Sequence, residues 1–367
     1  MPNLERRACA ELRQPLALAA DPPIPRRIAR SCLALSTLLL LQVSLAHAEV
    51  AVGSFANPGA IRHYADGAVG DTPPARAIGG VTTGLLTPAA LTFDPLAVEM
   101  FVSDFYGQTI RVFDPRQTGD RSPLRTLSLS TQPRHVIVDR AHDELAFVSY
   151  LGIYTYARSA SGSAPSLRWI EWGGLAGSVT RLDDPSGLVL LASTDQLLVG
   201  DYQQVAGGPA SGEVLVYPRT ANGNVAPVRE IRGPQTQLAC CVRDLALDAA
   251  RNELYVLAVV QDVAGNLYRV LVFDALASGD AAPLRLIEGA ATSIEFAGGI
   301  GFDATSDRVW VTTGLNGGTP RLLAFPRLAN GNVAPNVVIE GGTTGLTEPY
   351  DVLPYGIPAL IFSDGFE

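Results

Sequence analysis

The stretch Val214–Pro227, VLVYPRTANGNVAP, decides the fold because its pattern returns along the chain. It reads as an apolar strand, a turn built on Asn-Gly-Asn, and a proline at which the next strand begins. Arg321–Pro335, RLLAFPRLANGNVAP, is nearly the same sequence. Four more divergent copies begin at Ile61, Ile110, Ile153 and Val270. Repetition of this kind predicts an architecture made of similar structural units.

The spacing of the copies indicates the kind of unit. Prolines that anchor the copies are separated by 42 to 62 residues and lie at Pro74, Pro123, Pro165, Pro227, Pro283 and Pro335. Between copies a second hairpin recurs, as in Leu245–Asp248 followed by Glu253–Val256. A four-stranded unit with two apolar faces is stable only between neighbours, and a ring of such units has no open end. We therefore predict one all-β domain over residues 49–367, a six-bladed β-propeller of four-stranded antiparallel blades.

The two ends of the sequence predict how the ring closes. Pro349–Leu353 and Ala359–Asp364 resemble the first two strands of a unit, whereas residues 60–80 supply only the last two. We expect the N- and C-terminal segments to pair and complete one blade together. The additional strand-like segment Val50–Phe55 leaves a seventh blade open.

Composition excludes several classes of protein. The chain is 47% hydrophobic and 17% charged, with 36 Gly and 26 Pro, which favours a core with frequent turns over a coiled coil or disorder. All 27 basic residues are Arg, so neither a Schiff-base lysine nor a P-loop lysine is available. The net charge of −9, without a basic stripe, argues against nucleic acid as a partner.

Residues 1–48 have the pattern of a signal peptide with a long n-region. Three arginines precede the apolar run of residues 33–41, which leads to the small-residue site Ala46-His47-Ala48. We expect cleavage after Ala48, a periplasmic or extracellular protein without a membrane span, and a net charge of −12 for the mature chain. The run is short for an uncleaved anchor. A start codon assigned too far upstream would also explain the long n-region. We expect the mature protein to be a monomer.

Three stretches resemble a known group of proteins. Leu245–Asp248, Glu253–Val256 and Gly223–Arg229 are similar to the repeats of bacterial β-propellers of the NHL and YVTN/lactonase-like group. The resemblance covers essentially all of residues 49–367 and implies the propeller fold. Some propellers of this broad group hydrolyse lactones or open cyclic peptides at a metal in the central channel, and others only bind. The resemblance therefore leaves the activity open.

Residues repeated in every unit are expected to build the fold. Asp94, Asp139, Asp248 and Asp303 recur at one place and should accept backbone N–H groups in a turn, and the repeated Arg should pair with an acid.

Departures from the repeat are better candidates for a site, because one site needs asymmetric residues. In propellers, the loops that enter the innermost strands and those between the second and third strands surround one mouth of the channel. Candidates for ligand binding there are Arg134, His135, Arg243, Asp244, Tyr350, Asp351, Tyr106 and Tyr202. Asp104 and Asp201 are candidate metal ligands, suited to a hard cation such as Ca²⁺. Solvated loop residues without any ligand would give the same pattern.

The adjacent pair Cys240 and Cys241 is the other unusual feature. In an oxidising compartment the two thiols could form a vicinal disulfide, stay free, or pair between chains. Strain from a vicinal bridge would favour a functional site. Two small buried residues are the simpler interpretation.

Catalytic motifs are scarce, which decides between functions. After export only His63, His135 and His142 remain, without the spacing of a zinc site, and no nucleophile elbow or phosphate loop occurs. We predict a module that binds a small molecule, a glycan or a protein without dedicated catalysis. The alternatives are a metal-dependent lactonase or gluconolactonase-like hydrolase at the channel mouth, and a structural cell-envelope protein in which Phe362–Glu367 is a sorting tag.

Overall fold

The computed structural model describes residues 47–203, 211–262 and 265–357, so the predicted signal peptide up to residue 46 lies outside the described residues. In chain order the strands are β1 (His47–Ser54), β2 (Ala60–Ala65), β3 (Arg76–Gly79), β4 (Pro88–Asp94), β5 (Glu99–Asp104), β6 (Thr109–Phe113), β7 (Arg125–Ser128), β8 (His135–Asp139), β9 (Glu144–Ser149), β10 (Gly152–Ala157), β11 (Arg168–Glu171), β12 (Leu188–Leu191), β13 (Gln196–Gln203), β14 (Ser211–Pro218), β15 (Arg229–Ile231), β16 (Cys241–Asp248), β17 (Glu253–Asp262), β18 (Gly265–Asp274), β19 (Arg285–Ile287), β20 (Ile300–Asp303), β21 (Arg308–Thr313), β22 (Arg321–Pro326), β23 (Val337–Ile339) and β24 (Pro349–Ile357).

Helical structure in the described ranges is limited to single 3₁₀ turns. They lie at Val81–Thr83, Ala192–Thr194, Pro234–Thr236, Ala290–Thr292 and Leu315–Gly317. A search of the same ranges finds no helix with the length and apolarity needed to cross a membrane.

The strands form six four-stranded antiparallel sheets, which confirms the predicted six-bladed propeller. Blade 1 has the strand order β24-β1-β2-β3, and blades 2 to 6 are β4–β7, β8–β11, β12–β15, β16–β19 and β20–β23. Clusters of buried side chains fill the spaces between neighbouring blades. Between blades 4 and 5, for example, Val214 and Val216 share a cluster with Leu254 and Val256. Both faces of each inner strand are thus covered, which explains why these strands are apolar at nearly every position.

Blade 1 closes the ring, but with one strand from the C-terminal end and three from the N-terminal end. β24 is innermost and pairs with β1, with Val52 opposite Val352. The prediction of two C-terminal strands is therefore wrong, because β1 takes the second place, and Ala359–Asp364 lies outside the described residues. The segment that left a seventh blade open instead forms the second strand of blade 1. Apolar side chains at alternate positions explain this placement, because Val50 and Val52 lie on the same face of β1, are at most 4% exposed and pack towards blade 6.

Isolated parallel bridges connect every blade to the next. In each case a glycine of the repeat's turn pairs with an apolar residue of the preceding blade's outermost strand. The pairs are Ile78 with Gly119, Leu127 with Gly162, Ile170 with Gly223, Ile231 with Gly279, Ile287 with Gly331, and Ile339 with Gly70. The last pair returns from blade 6 to blade 1, so the bridges themselves describe a closed ring. Glycine suits the place because the turn requires a left-handed backbone, with φ of 75° at Gly223.

The Asp or Asn beside this glycine adds a second connection between blades. Asp120 in blade 2 accepts hydrogen bonds from the amides of Thr82 and Thr83 in the connection that leaves blade 1, at 2.7 and 3.2 Å. Asp280 does the same for Gln235, and Asn332 for Ala291. The repeated Gly-Asn and Gly-Asp pairs therefore do more than turn the chain, since they hold adjacent blades together.

Ion pairs join the second and fourth strands within a blade and reach the next blade. Glu253 on β17 binds Arg285 on β19 at 2.6 Å and Arg327 of blade 6 at 3.1 Å. Although burial favours the neutral carboxyl, hydrogen bonds from Arg285, Tyr255 and Arg327 lower the pKa of Glu253 to about 2. Blades 2 and 3 repeat the arrangement at Glu99 and Glu144. These contacts confirm the expected pairing with an acid for Arg125, Arg168 and Arg285. Arg229 of blade 4 is an exception, because it donates to the Gln196 side chain and to the carbonyls of Ala275 and Ala277.

The repeated aspartates are turn residues, as predicted. Asp94 accepts the amides of Leu96 and Ala97 at 3.0 and 3.2 Å. Equivalent bonds form at Asp139, Asp248 and Asp303.

Candidate functional site

A cavity of about 190 Å³ opens where the inner strands begin, and every blade contributes to its wall. Seven of the eight predicted ligand-binding residues line it, namely Arg134, His135, Tyr202, Arg243, Asp244, Tyr350 and Asp351. A cavity of about 150 Å³ can hold a benzene-sized molecule. The space therefore fits a small molecule or one unit of a larger ligand. We call it the mouth cavity.

An ion pair across the channel forms part of the cavity wall. His135 of blade 3 contacts Asp244 of blade 5 through Nδ1 and Oδ1, which are 2.9 Å apart. Asp244 also accepts the amides of Leu245 and Ile300, at 2.8 and 2.9 Å, so that its carboxylate is fixed. Burial alone would lower the pKa of His135, but the Asp244 carboxylate outweighs burial and raises it. This imidazole is therefore held in its charged form more strongly than an ordinary histidine.

Asp351 lies beside this pair on β24. Its carboxylate accepts the amides of Leu91, in blade 2, and Val352, at 2.6 and 2.8 Å. Burial and the neighbouring Asp244 charge raise the pKa of Asp351 to about 7, against the opposing effect of His135. The wall thus contains a carboxyl group that can take up or release a proton near neutral pH.

Arg134 is neutralised and held in place. Its guanidinium binds Asp184 at 2.5 Å and the carbonyl of Pro185 at 2.9 Å. It also lies over the ring of Tyr150, 3.6 Å from the ring centre, which is a close cation–π contact. Its charge is therefore compensated without any ligand.

Arg243 differs from Arg134 in its contacts with the described part of the chain. It lies at a β-bulge of β16, where the register with β17 shifts between Val242 and Asp244. Its Nε is buried without a hydrogen bond, and its guanidinium makes no ion pair with a described residue. Bulges commonly redirect a side chain towards a site. The sequence indicated the residue as a departure from the repeat, but the missing partner is visible only in the structure.

Aromatic rings continue from the mouth cavity across the same face. Phe55 stacks on Tyr350 with ring centres 4.7 Å apart, and Phe105 follows at 5.8 Å from Phe55. Tyr106 and Tyr150 flank Phe105 at 5.0 and 6.2 Å. We call these five residues the aromatic arc. Tyr106, the eighth predicted ligand-binding residue, belongs to this arc and is 63% exposed, whereas it does not line the cavity.

The two candidate metal ligands are not brought together. Asp104 on β5 accepts the amides of Leu86 and Thr87, at 3.0 and 2.7 Å, and Asp201 on β13 accepts those of Asp183 and Asp184. Both carboxylates are fully buried, in blades 2 and 4. Burial raises the pKa of Asp201 to about 7, although the hydrogen bonds that its carboxylate accepts oppose the shift.

These two carboxylates anchor the loops before the inner strands, and their oxygens are directed at backbone donors. No group of three or more His, Cys, Asp and Glu side chains that could hold a metal ion occurs within residues 47–203, 211–262 and 265–357. Asp104 and Asp201 therefore do not form a shared site for Ca²⁺.

Cys240 and Cys241 are joined by a disulfide at the start of β16. Cys240 is buried, whereas Cys241 belongs to the cavity wall, two residues before Arg243. The vicinal pair thus lies directly beside the bulge that carries the unpaired guanidinium.

Comparisons with known proteins identify a fold and no family. No protein-family model matches the sequence, and no curated protein matches it. A chain in the crystal structure of the nidogen/laminin complex matches with a TM-score of 0.54 at 12% identity, covering 83% of this chain and 97% of that one. The WD40 β-propeller domain of Doa1 matches with a TM-score of 0.51 at 12% identity, over 86% and 88% of the two chains. At these identities the likeness supports the propeller fold alone, and the NHL and lactonase-like resemblance is not confirmed.

Proposed function

We propose that this protein is a binding module whose ligand site is the mouth cavity, and that it has no dedicated catalysis. One observation supports this most strongly: residues from all six blades surround one mainly polar cavity, and blades 1, 3, 4 and 5 supply its polar side chains. Asymmetric polar groups that converge on a cavity of a rigid scaffold are the usual form of a ligand site. A propeller that matches this one in shape comes from a nidogen/laminin complex, which is consistent with a binding role for the fold.

Filling the cavity tests this proposal. Ala89 lies at a bulge of β4 in the cavity wall, so Ala89→Phe places a phenyl ring in the space. Ala75→Phe is the matched control, because Ala75 is exposed on the outer side of blade 1. We expect ligands found by thermal-shift screening of metabolites, saccharides and peptides to bind the wild type and Ala75→Phe but not Ala89→Phe. Equal binding by all three proteins would place the ligand site elsewhere.

The hydrolase alternative is favoured by one observation, the raised pKa of Asp351 beside the His135–Asp244 pair. Such groups could transfer a proton to a leaving oxygen. Hydrolysis of γ- and δ-lactones by the wild type, measured with and without added divalent cations and lost in Asp351→Asn, would establish this second function. We expect no turnover above that of buffer.

Export and membership of the NHL-like group stay proposals that rest on the sequence. N-terminal sequencing of the secreted protein should give Glu49 as the first residue. In the structure β1 begins at His47, with His47 and Ala48 opposite Ile357 and Gly356. Cleavage after Ala48 would therefore remove two residue pairs and leave the pairing of Glu49–Ser54 intact.

A further inference from the structure

We propose that the mouth cavity recognises a sugar acid of the uronate type, free or as a unit of a glycan, with Arg243 as the receptor for its carboxylate. This inference rests on the proposed function and adds the chemical class of the ligand. It follows from the charges, the polar groups and the aromatic rings around the cavity.

The charge argument begins with the partners of each ionic group in the wall. Arg134 is paired with Asp184, and His135 with Asp244, so these four groups cancel in pairs. Arg243 remains as the cation without a described partner, and its buried Nε has no acceptor. What distinguishes Arg243 is the missing charge partner, which a carboxylate bound at the guanidinium would supply. The cavity is therefore incomplete in one specific respect, the acceptor for a guanidinium.

A carboxylate fits this deficit better than a phosphate. The planar guanidinium matches the two oxygens of a carboxylate in a bidentate arrangement. A phosphate dianion would bring a second negative charge close to Asp184, Asp244 and Asp351, with only one unpaired cation to compensate it. Like charges at such short range disfavour the dianion.

The remaining wall favours a hydroxyl-rich ligand. Besides the ionic groups it contains the hydroxyl groups of Ser186, Tyr202 and Tyr350, whereas its aliphatic side chains are Ala89 and Val242 alone. Sugar hydroxyls can donate to the carboxylates and accept from the hydroxyls, but an apolar peptide side chain would find few contacts. The volume of about 190 Å³ suits one monosaccharide unit.

The aromatic arc supports the same class of ligand. Tyr350 belongs to both the cavity wall and the arc, so a chain of sugar rings leaving the cavity would pass over Phe55 and Tyr106. Tyr106 is largely exposed, and an exposed ring combines an apolar face with a polar edge. The arc thus provides a stacking surface next to the guanidinium.

Matched pairs of sugars make the test direct. Isothermal titration calorimetry compares D-galacturonate and D-glucuronate with D-galactose and D-glucose, on the wild type and on Arg243→Gln. We expect at least one uronate to bind about tenfold or more tightly than its neutral parent, and Arg243→Gln to remove that preference. Arg121→Gln is the control, because Arg121 is exposed on an outer turn. It should leave both affinities unchanged.

A second variant keeps the test sharp if Arg243→Gln unfolds. Arg243→Lys retains the charge without the bidentate geometry, and we expect it to keep part of the preference for the uronate. Melting curves verify that each variant is folded.

Each alternative result overturns the proposal. Equal binding of neutral sugars and uronates would remove the carboxylate receptor but retain a ligand site. Tighter binding of inorganic phosphate, or binding only of peptides with a free C-terminal carboxylate, would replace the sugar acid by another class. Absence of binding by every probe would reject the sugar acid, whereas the proposed function is judged separately by the Ala89→Phe screen.

Discussion

His63 predicts a measurable acid sensitivity of the blade that closes the ring. Each strand of blade 1 contributes one residue to a hydrogen-bonded network, namely Glu49 on β1, His63 on β2, Arg76 on β3 and Tyr355 on β24, of which all but Arg76 are buried. The Nδ1 atom of His63 is 2.6 Å from the Tyr355 hydroxyl, which donates to Glu49 at 2.7 Å. Arg76 binds the same carboxylate at 2.6 Å. The network therefore connects the chain's first and last described strands.

Burial, together with the nearby Arg76, lowers the pKa of His63 from 6.5 to about 4, although Glu49 opposes the shift. Because the pKa is lower in the folded state, the unfolded chain binds the proton more readily between these two values. The contribution of neutral His63 to the stability of the folded protein is therefore complete above pH 6.5 and is lost as the pH falls towards 4. A shift of this size corresponds to about 3 kcal/mol in total, of which about 2.5 kcal/mol is lost by about pH 4.5.

The perturbation is His63→Asn, which removes the titrating group. At about pH 7.5 the variant should be less stable than the wild type by about 1–2 kcal/mol, because it loses the bond to Tyr355 and some packing. At about pH 4.5 the buried imidazole of the wild type resists protonation, which costs the folded state about 2.5 kcal/mol relative to the unfolded chain. The difference should therefore reverse sign, so that His63→Asn becomes the more stable protein by about 0.5–1.5 kcal/mol.

Urea unfolding followed by tryptophan fluorescence, at several pH values, measures the difference in the free energy of unfolding between the two proteins. His142→Asn is the control, because its imidazole is 45% exposed and belongs to a turn. Its difference from the wild type should vary by less than about 1 kcal/mol. A constant difference between wild type and His63→Asn across the pH range would refute the reasoning, since it would show that the folded state does not oppose the charge on His63.

Three further predictions concern the blades and the cavity. Glu253→Gln should lower the free energy of unfolding by about 2–3 kcal/mol at pH 7, and this loss should fade as the pH falls below 4.5 towards 2. In the same urea titrations the control Asp114→Asn, which removes an exposed ion pair, should lower it by less than about 1 kcal/mol. Asp244→Asn should lower the midpoint of the NMR titration of the His135 ring, because burial is then opposed only by the more weakly acting Asp351, and an unchanged midpoint would contradict the ion pair. Asp120→Ala should lower the free energy of unfolding by about 1–2 kcal/mol without changing the far-ultraviolet circular dichroism, since it removes a bond between blades and no strand.

The sequence was informative about the blades because each repeat contains its own turn-forming residues. Proline, glycine and Asn or Asp mark the turns, and their spacing alone predicts six units of four strands. It was less informative about the closing blade, where β1 has the short sequence HAEVAVGS. In sequence, that segment fits a strand of a seventh blade as well as the second strand of blade 1. Only the packing of Val50 and Val52 against blade 6 decides between the two.

The candidate site could be predicted in position but not in chemistry. Departures from the repeat located seven residues of the cavity wall, because identical blades cannot supply an asymmetric site. The same reasoning could not distinguish a carboxylate that accepts hydrogen bonds from backbone amides from one that is available to a ligand. Asp104 resembles a metal ligand in sequence, yet its oxygens bind backbone amides. Arg243 resembles any other arginine, and its lack of an ion pair with the described residues depends on contacts between distant blades.

The arrangement of blade 1 has a practical consequence for handling the protein. β24 begins at the mouth, with Tyr350 and Asp351 in the cavity wall, and runs away from it to Ile357. β1 is antiparallel to β24, and His47 lies opposite Ile357, so the chain enters and leaves the ring at neighbouring points on the far side from the cavity. An affinity tag or biotin joined close to His47 or Ile357 would therefore fix the ring to a sensor chip with its mouth turned towards the solution. Immobilisation through surface carboxylates would present it in every orientation.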